Sequence, residues 1–139
     1  VEPCGVVGVV GRESPALVGT LALVLPLLVS GNTVVALVGE QAPFAGLVLG
    51  EACASSDLPG GVLNLLSGSR AELAPQFAAH RDLDGLLIAG APDAALSAAA
   101  ADNVKRVRYC DLPDAAWQRA ESLCQLAFVE PFVEAKTLW

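Results

Sequence analysis

The sequence has no methionine and a single histidine, and aromatic residues make up only 5% of it. One histidine, His80, with four scattered cysteines, Cys4, Cys53, Cys110 and Cys124, offers no C-x-x-C pair and no ligands at metal spacing, so no metal site is expected. Positive charge is scarce as well. Eight Lys and Arg stand against fifteen Asp and Glu, a formal net charge of −7. The small basic group at Lys105, Arg106 and Arg108 cannot track a phosphate backbone, which argues against nucleic acid as a partner. No basic segment followed by an apolar run opens the chain, so no secretory signal is visible. The chain opens on Val1 without a methionine anywhere, and the expectation is a piece of a longer protein.

Apolar residues are what the chain has in plenty: 54% hydrophobic against 17% charged over 139 residues. That length suits one domain with a sizeable core. The composition implies either elements buried on both faces or a surface that covers another domain. Free cysteines are among the most buried residue types, so the thiols read as reduced and buried, in a cytoplasmic protein.

The stretch from Ser14 to Gly39 carries no charge and is long enough to raise the question of a membrane span, which needs about 20 apolar residues. Its grammar answers against one. Gly31-Asn32 is a helix-stop and turn pair. Thr33 to Val38 after it is β-branched and strand-length. Ala16 to Val29 before it is a helix too short to span, with Pro15 at its tolerant first turn and Pro26 expected to kink it or shift its end.

The same alternation recurs along the chain. Gly5 to Val10 reads as a strand, Pro43 to Ser55 as a helix, and Val62 to Leu66 as a strand. Ser69 and Glu72 form a capping box for a helix ending near His80, with Pro75 awkward inside it. Gly85 to Ala89 is a strand, Pro92 to Ala101 a helix and Val104 to Tyr109 a strand. Asp114 is placed to cap a helix from Ala115 to about Phe128, with Trp117, Ala120, Cys124 and Ala127 at helical spacing. Strands alternating with helices predict an α/β fold: a Rossmann-like parallel sheet of about five strands, helices on both faces, right-handed crossovers. The residues from Val129 to Trp139 differ. A proline break precedes near-alternation, with Val133, Ala135, Thr137 and Trp139 on one strand face, and such a terminal strand must pair with something.

Chemical motifs are few. Gly5, Gly8 and Gly11 are spaced G-x-x-G-x-x-G within a strand, unlike a dinucleotide turn that opens a helix. Gly90-Ala91-Pro92-Asp93 is a strand-to-helix turn, able to hold a phosphate on backbone amides or to be satisfied by Asp93 itself. Cys110 follows a strand, but a reactive thiol needs a lowered pKa and nothing places His80 beside it. Asp111 and Asp114 suit a turn and a cap.

Taken in order, Gly5-Val6-Val7-Gly8-Val9-Val10-Gly11, Gly31-Asn32-Thr33-Val34-Val35, Glu40-Gln41-Ala42-Pro43 and Leu58-Pro59-Gly60-Gly61-Val62-Leu63-Asn64-Leu65-Leu66-Ser67-Gly68 resemble the coenzyme domain of the aldehyde dehydrogenase superfamily, over about Val1 to Val107. Phe132 to Thr137 resembles the YTEVKTV strand near these enzymes' C-termini. Within the superfamily the chain is similar to the truncated second domain of aldehyde dehydrogenase family 16. The resemblance divides the chain into residues 1–128, a coenzyme-type domain, and 129–139, a strand used in oligomer or inter-domain pairing.

The departures from that family fall on the chemistry. The asparagine of PWNFP, an oxyanion donor, aligns with Ser14, and the ribose-binding lysine of KPSE with Leu37. The serine of FTGS aligns with Ala91, and the glutamate of ELGG with Cys110. The segment carrying the nucleophilic cysteine has no counterpart. Losing one oxyanion donor costs about 10²–10³ in rate; losing nucleophile, base and donor leaves no acyl chemistry. No catalytic residue is therefore expected. The resemblance implies a non-catalytic, structural domain of a larger, NAD(P)-dependent protein, a homo-oligomer paired with copies or other domains through Phe132, Val133, Ala135, Thr137, Leu138 and Trp139. The alternative is a residual NAD(P)-binding module, with Glu40, Gly68 and Gly90 near the nucleotide.

Overall fold

The computed structural model of the chain describes residues 1–119 and 126–136. In chain order the elements are β1 (Glu2–Pro3), β2 (Val6–Val10), α1 (Ala16–Val29), β3 (Thr33–Val38), α2 (Pro43–Ala54), β4 (Leu63–Ser67), α3 (Arg70–Ala79), β5 (Gly85–Ala89), α4 (Ala94–Ala101), β6 (Arg106–Cys110) and β7 (Val133–Glu134), with 3-10 turns at Asp114–Gln118, Leu126–Phe128 and Glu130–Phe132. Five strands form one parallel sheet in the order β4-β3-β2-β5-β6. The first half of the chain builds outward from β2 to β4, and the second half returns to the other side of β2. The sheet order therefore reverses between β2 and β5.

Period-two alternation sorts the side chains between two cores. Val7, Val9, Val34, Ala36, Leu87 and Ala89 face α1 together with Leu23, Val24 and Leu27. Val10, Leu37, Leu86 and Ile88 face α3 and α4, against Ala74, Phe77, Ala78 and Ala100. Each fully buried Val or Leu contributes about 1.5–3 kcal/mol. Both faces of the central strands are covered, which accounts for their lack of charge. Gly8 serves this packing. A Cβ there would stand 2.8 Å from a Phe77 ring carbon and 2.9 Å from a Leu83 methyl, so its absence lets α3 lie close on the sheet.

The uncharged run from Ser14 to Gly39 is α1, a turn and β3, and no described helix is long and apolar enough to cross a membrane. At the turn, the Gly31 amide donates to Leu28 (3.0 Å) and the Asn32 amide to Leu27 (3.0 Å), with Gly31 at φ +88, a left-handed helix end that glycine adopts without strain. Helix α1 runs through Pro26 to Val29, so the proline neither shifts nor shortens it.

Other boundaries and caps depart from the sequence reading. The Ser69 side chain makes no capping hydrogen bond, so the expected capping box with Glu72 is absent, and α3 starts on the Ser69 carbonyl alone. Asp93 lies before α4 rather than in its first turn; its carboxylate accepts from the Ala95 (2.8 Å) and Leu96 (3.1 Å) amides. Strand β6 begins at Arg106, because Val104 adopts φ 57 in the turn after α4 and is 90% exposed. The helix expected from Ala115 is a 3-10 turn at Asp114–Gln118 that ends at an extended Arg119. Asp114 does not cap it but pairs with Arg12 at 2.5 Å. Ala120 and Cys124 lie outside the described residues.

The tail packs on the body. Trp117 and Phe132 are fully buried, and the indole N–H of Trp117 donates to the Leu112 carbonyl at 3.1 Å. Asn32 is buried and ties three segments: its Oδ1 accepts from the Gly5 amide (3.1 Å), and its amide nitrogen donates to Ser30 Oγ (2.9 Å) and to the Phe132 carbonyl (3.0 Å). The short pairing of β1 with β7 was not anticipated from sequence; it is antiparallel, with Glu2 opposite Glu134 and Pro3 opposite Val133.

Candidate functional site at the carboxyl edge of the sheet

In an open parallel sheet the loops at the carboxyl ends of the strands, where the strand order reverses, are the usual place for a ligand. The residues expected near a nucleotide fall at that edge: Glu40 after β3, Gly68 after β4 and Gly90 after β5. An open cleft of about 520 Å³ lies there between α3 and α4. Glu40, Ser69, Arg70, Pro75, Asp93 and Tyr109 are among its lining residues. Gly68 and Gly90 sit beside it, next to Ser69 and Ala91.

Glu13, Asp93, Tyr109 and Arg70 at this edge find partners within the chain. The Glu13 carboxylate accepts from the Glu40 and Gln41 amides, both at 2.8 Å. Tyr109 donates to the Asp93 carbonyl at 2.8 Å, and the Asp93 side chain caps α4. Arg70, the first residue of α3, turns back toward the sheet. Its Nη1 donates to the Gly11 carbonyl (2.8 Å) after β2, and its Nη2 to the Ala89 carbonyl (2.6 Å) at the end of β5. A cation at a helix N-terminus opposes the helix dipole. Here it is held by two strand-end carbonyls, which carry the opposite partial charge. Burial draws the Arg70 pKa down from its ordinary value, while the Glu13 charge holds it up.

The loop after β2 is likewise committed. Arg12 lies over the Trp117 ring, 4.8 Å from its centre, bonds to the Ser14 carbonyl, and pairs with Asp114. Leu37 is 2% exposed and packs with Val10 and Ile88 in the core. Cys110 ends β6 in the core, and burial pushes its thiol up to about 11, against a smaller opposing effect of the Arg12 charge. His80 follows α3, which runs from the carboxyl edge back to the amino edge of the sheet, so the two are at opposite ends of the strands.

Sequence reasoning missed Glu13 and Arg70. The available signal was a long cation at a helix start directly after the Gly68-Ser69 turn, and an acid in the loop after β2. Of the expected interface residues, Phe132 is core and Val133 pairs with β1, while Ala135 is exposed. Thr137, Leu138 and Trp139 lie outside the described residues.

A doubly wound parallel sheet with its cleft at the switch-point edge defines the class: a Rossmann-like nucleotide-type α/β fold. The aldehyde dehydrogenase family profile matches residues 1–109, from the first residue almost to the end of β6. The chain is 36% identical to a mitochondrial aldehyde dehydrogenase of Arabidopsis thaliana, across 76% of this chain and 20% of that protein. It is 31% identical to a mitochondrial aldehyde dehydrogenase of Leishmania tarentolae, across 98% of this chain and 27% of the relative. Among solved structures, an aldehyde dehydrogenase C mutant of Pseudomonas syringae, in complex with NAD+ and octanal, superposes with a TM-score of 0.72 at 35% identity, covering 78% of this chain and 23% of the other. The chain belongs to the aldehyde dehydrogenase family, and it spans only 20–27% of the length of those two curated relatives.

A bound dinucleotide needs free amides at a helix start and close approach of its phosphates to the backbone. The residues present do not fit that group well: Glu13 takes the amides after β3, Arg70 stands in the crevice between β2 and β5, and the buried Leu37 side chain has no donor for a ribose.

Proposed function

We propose that the chain is a non-catalytic aldehyde-dehydrogenase-like module with a structural role in the assembly of a larger family protein. The observation that carries this reading is the inert carboxyl edge. The positions that the resemblance pairs with the family's reactive groups hold Ser14, Leu37, Ala91 and Cys110. A thiol that ionises near 11 is a poor nucleophile at neutral pH. The similarity to the truncated second domain of aldehyde dehydrogenase family 16 belongs to the same proposal, as does an NAD(P)-dependent parent protein.

Exposed apolar residues support the assembly role. Phe44, Leu47 and Val48, side by side on α2, are 75%, 65% and 57% exposed. A clustered apolar surface marks a site that another chain or domain covers. Docking through the tail then rests on Ala135, Thr137, Leu138 and Trp139, without Phe132, which the core holds, and without Val133, which pairs with β1. A cytoplasmic setting is part of the proposal, although named relatives include mitochondrial and peroxisomal enzymes.

The test is to remove Ala135–Trp139 and measure mass by light scattering. The cut spares Phe128 and Phe132, whose loss would open the core. A fall from oligomer to monomer is the expected result, and an unchanged mass would remove the tail from the assembly role. The second reading, a residual NAD(P)-binding module, is favoured by the open cleft beside Glu40. Saturable binding of NAD+ or NADP+ would promote it.

A further inference from the structure

We propose that Arg70 is a built-in stopper of the crevice between β2 and β5. This rests on the reading of the domain as one that no longer uses a coenzyme, and it names the residue that closes the site. The crevice is the point at which the strand order reverses, where the phosphates of a dinucleotide would lie closest to the backbone. The Arg70 guanidinium spans it, with one amino group on the Gly11 carbonyl at 2.8 Å and the other on the Ala89 carbonyl at 2.6 Å. Its Nη2 is also 3.7 Å from where a Gly90 side chain would begin, so it fills the space beside that glycine.

Two features make this a closure rather than an anion site. Each terminal amino group of the fork bonds one strand-end carbonyl, and the two bonds together pin the guanidinium across the mouth of the crevice. The neighbouring amide pair, at Glu40 and Gln41, is already filled by the Glu13 carboxylate, at 2.8 Å to each. A phosphate that entered would have to displace two charge-assisted hydrogen bonds and strand two carbonyls away from their donor. The cleft between α3 and α4 remains open beside this stopper, so the adenosine end of a nucleotide has room that its phosphates lack.

The experiment titrates the full 139-residue chain with ADP-ribose by calorimetry, as wild type and as Arg70→Gly, Arg70→Ala and Arg70→Lys, with a thermal melt of each variant. Removal of the fork is expected to tighten binding by about tenfold in the glycine and alanine variants, the equivalent of about 1.4 kcal/mol. The lysine variant keeps the charge but has no fork to bridge two carbonyls, and a smaller gain is expected. Should the shorter side chains fail to fold, the lysine variant decides. Equal affinity in wild type and folded variants would overturn the stopper. Weaker binding in the variants would overturn it too, because Arg70 would then be a ligand-holding residue. The stopper is judged only by the difference between wild type and variant. Binding by the wild type itself bears instead on whether coenzyme use has been lost.

Discussion

The middle of the sheet and its carboxyl edge are built from the same five strands, yet they are held in different ways. In the middle, Val9, Leu87 and Leu37 meet other apolar side chains on both faces, and every contact is non-directional. At the edge, Glu13, Arg70 and Asp93 each meet backbone groups in directed hydrogen bonds. The difference teaches where a fold of this kind can change without loss. Packing in the middle constrains volume and tolerates little. The edge requires only that its polar groups be satisfied, and side chains of the chain itself can do that as well as a ligand can.

Breaking the middle should cost most. Phe132→Ala is expected to destabilise the chain by about 3–5 kcal/mol, read as a fall in the denaturation midpoint, because the ring is fully buried against Gly85 and Val7. A loss under 1 kcal/mol would mean that the tail is not part of the core. Asn32→Ala should cost about 1–3 kcal/mol, since it leaves the Gly5 amide without its acceptor and the Phe132 carbonyl with the Cys4 amide alone.

Changes at the edge should be smaller. Asp93→Ala removes the side-chain cap of α4 and should cost about 1 kcal/mol. Cys110 sharpens the comparison through pH. Burial raises its pKa from 9.0 to about 11, so the folded state keeps the thiol proton that the unfolded state gives up first. The stability this contributes is fully present below pH 9 and is lost as pH rises through about 11. Cys110→Ala should flatten the decline of the denaturation midpoint across that window, and an unchanged slope would show that the thiol is not held neutral. At the outer surface, the Arg106–Glu134 pair at 2.7 Å is half exposed at both ends, and Glu134→Ala should change stability by less than about 1 kcal/mol.

Legibility in the sequence follows the same division. The middle was readable: the β-branched runs at Val6–Val10 and Thr33–Val38 and the uncharged helix between them report burial on both faces, and burial leaves a compositional mark. The tail was not. Trp117 and Ala120 recur at helical spacing, but Trp117 is buried by a 3-10 turn that Arg12 and the Leu112 carbonyl hold in place, and those contacts come from far along the chain or across a turn. At the edge, Glu40, Gly68 and Gly90 came from the family resemblance, whereas the engagement of Glu13 and Arg70 depends on which side chain reaches which backbone group. No spacing rule encodes that. The pairing of β1 with β7 joins two-residue strands from opposite ends of the chain, too short for any alternation to show.

The most direct measurement is calorimetric titration of the unmodified 139-residue chain with NAD+, at protein concentrations where a dissociation constant of about 1 mM is resolved. A carboxyl edge already satisfied by Glu13, Arg70 and Asp93 predicts flat heats. Saturable heats with a sub-millimolar constant would contradict the account.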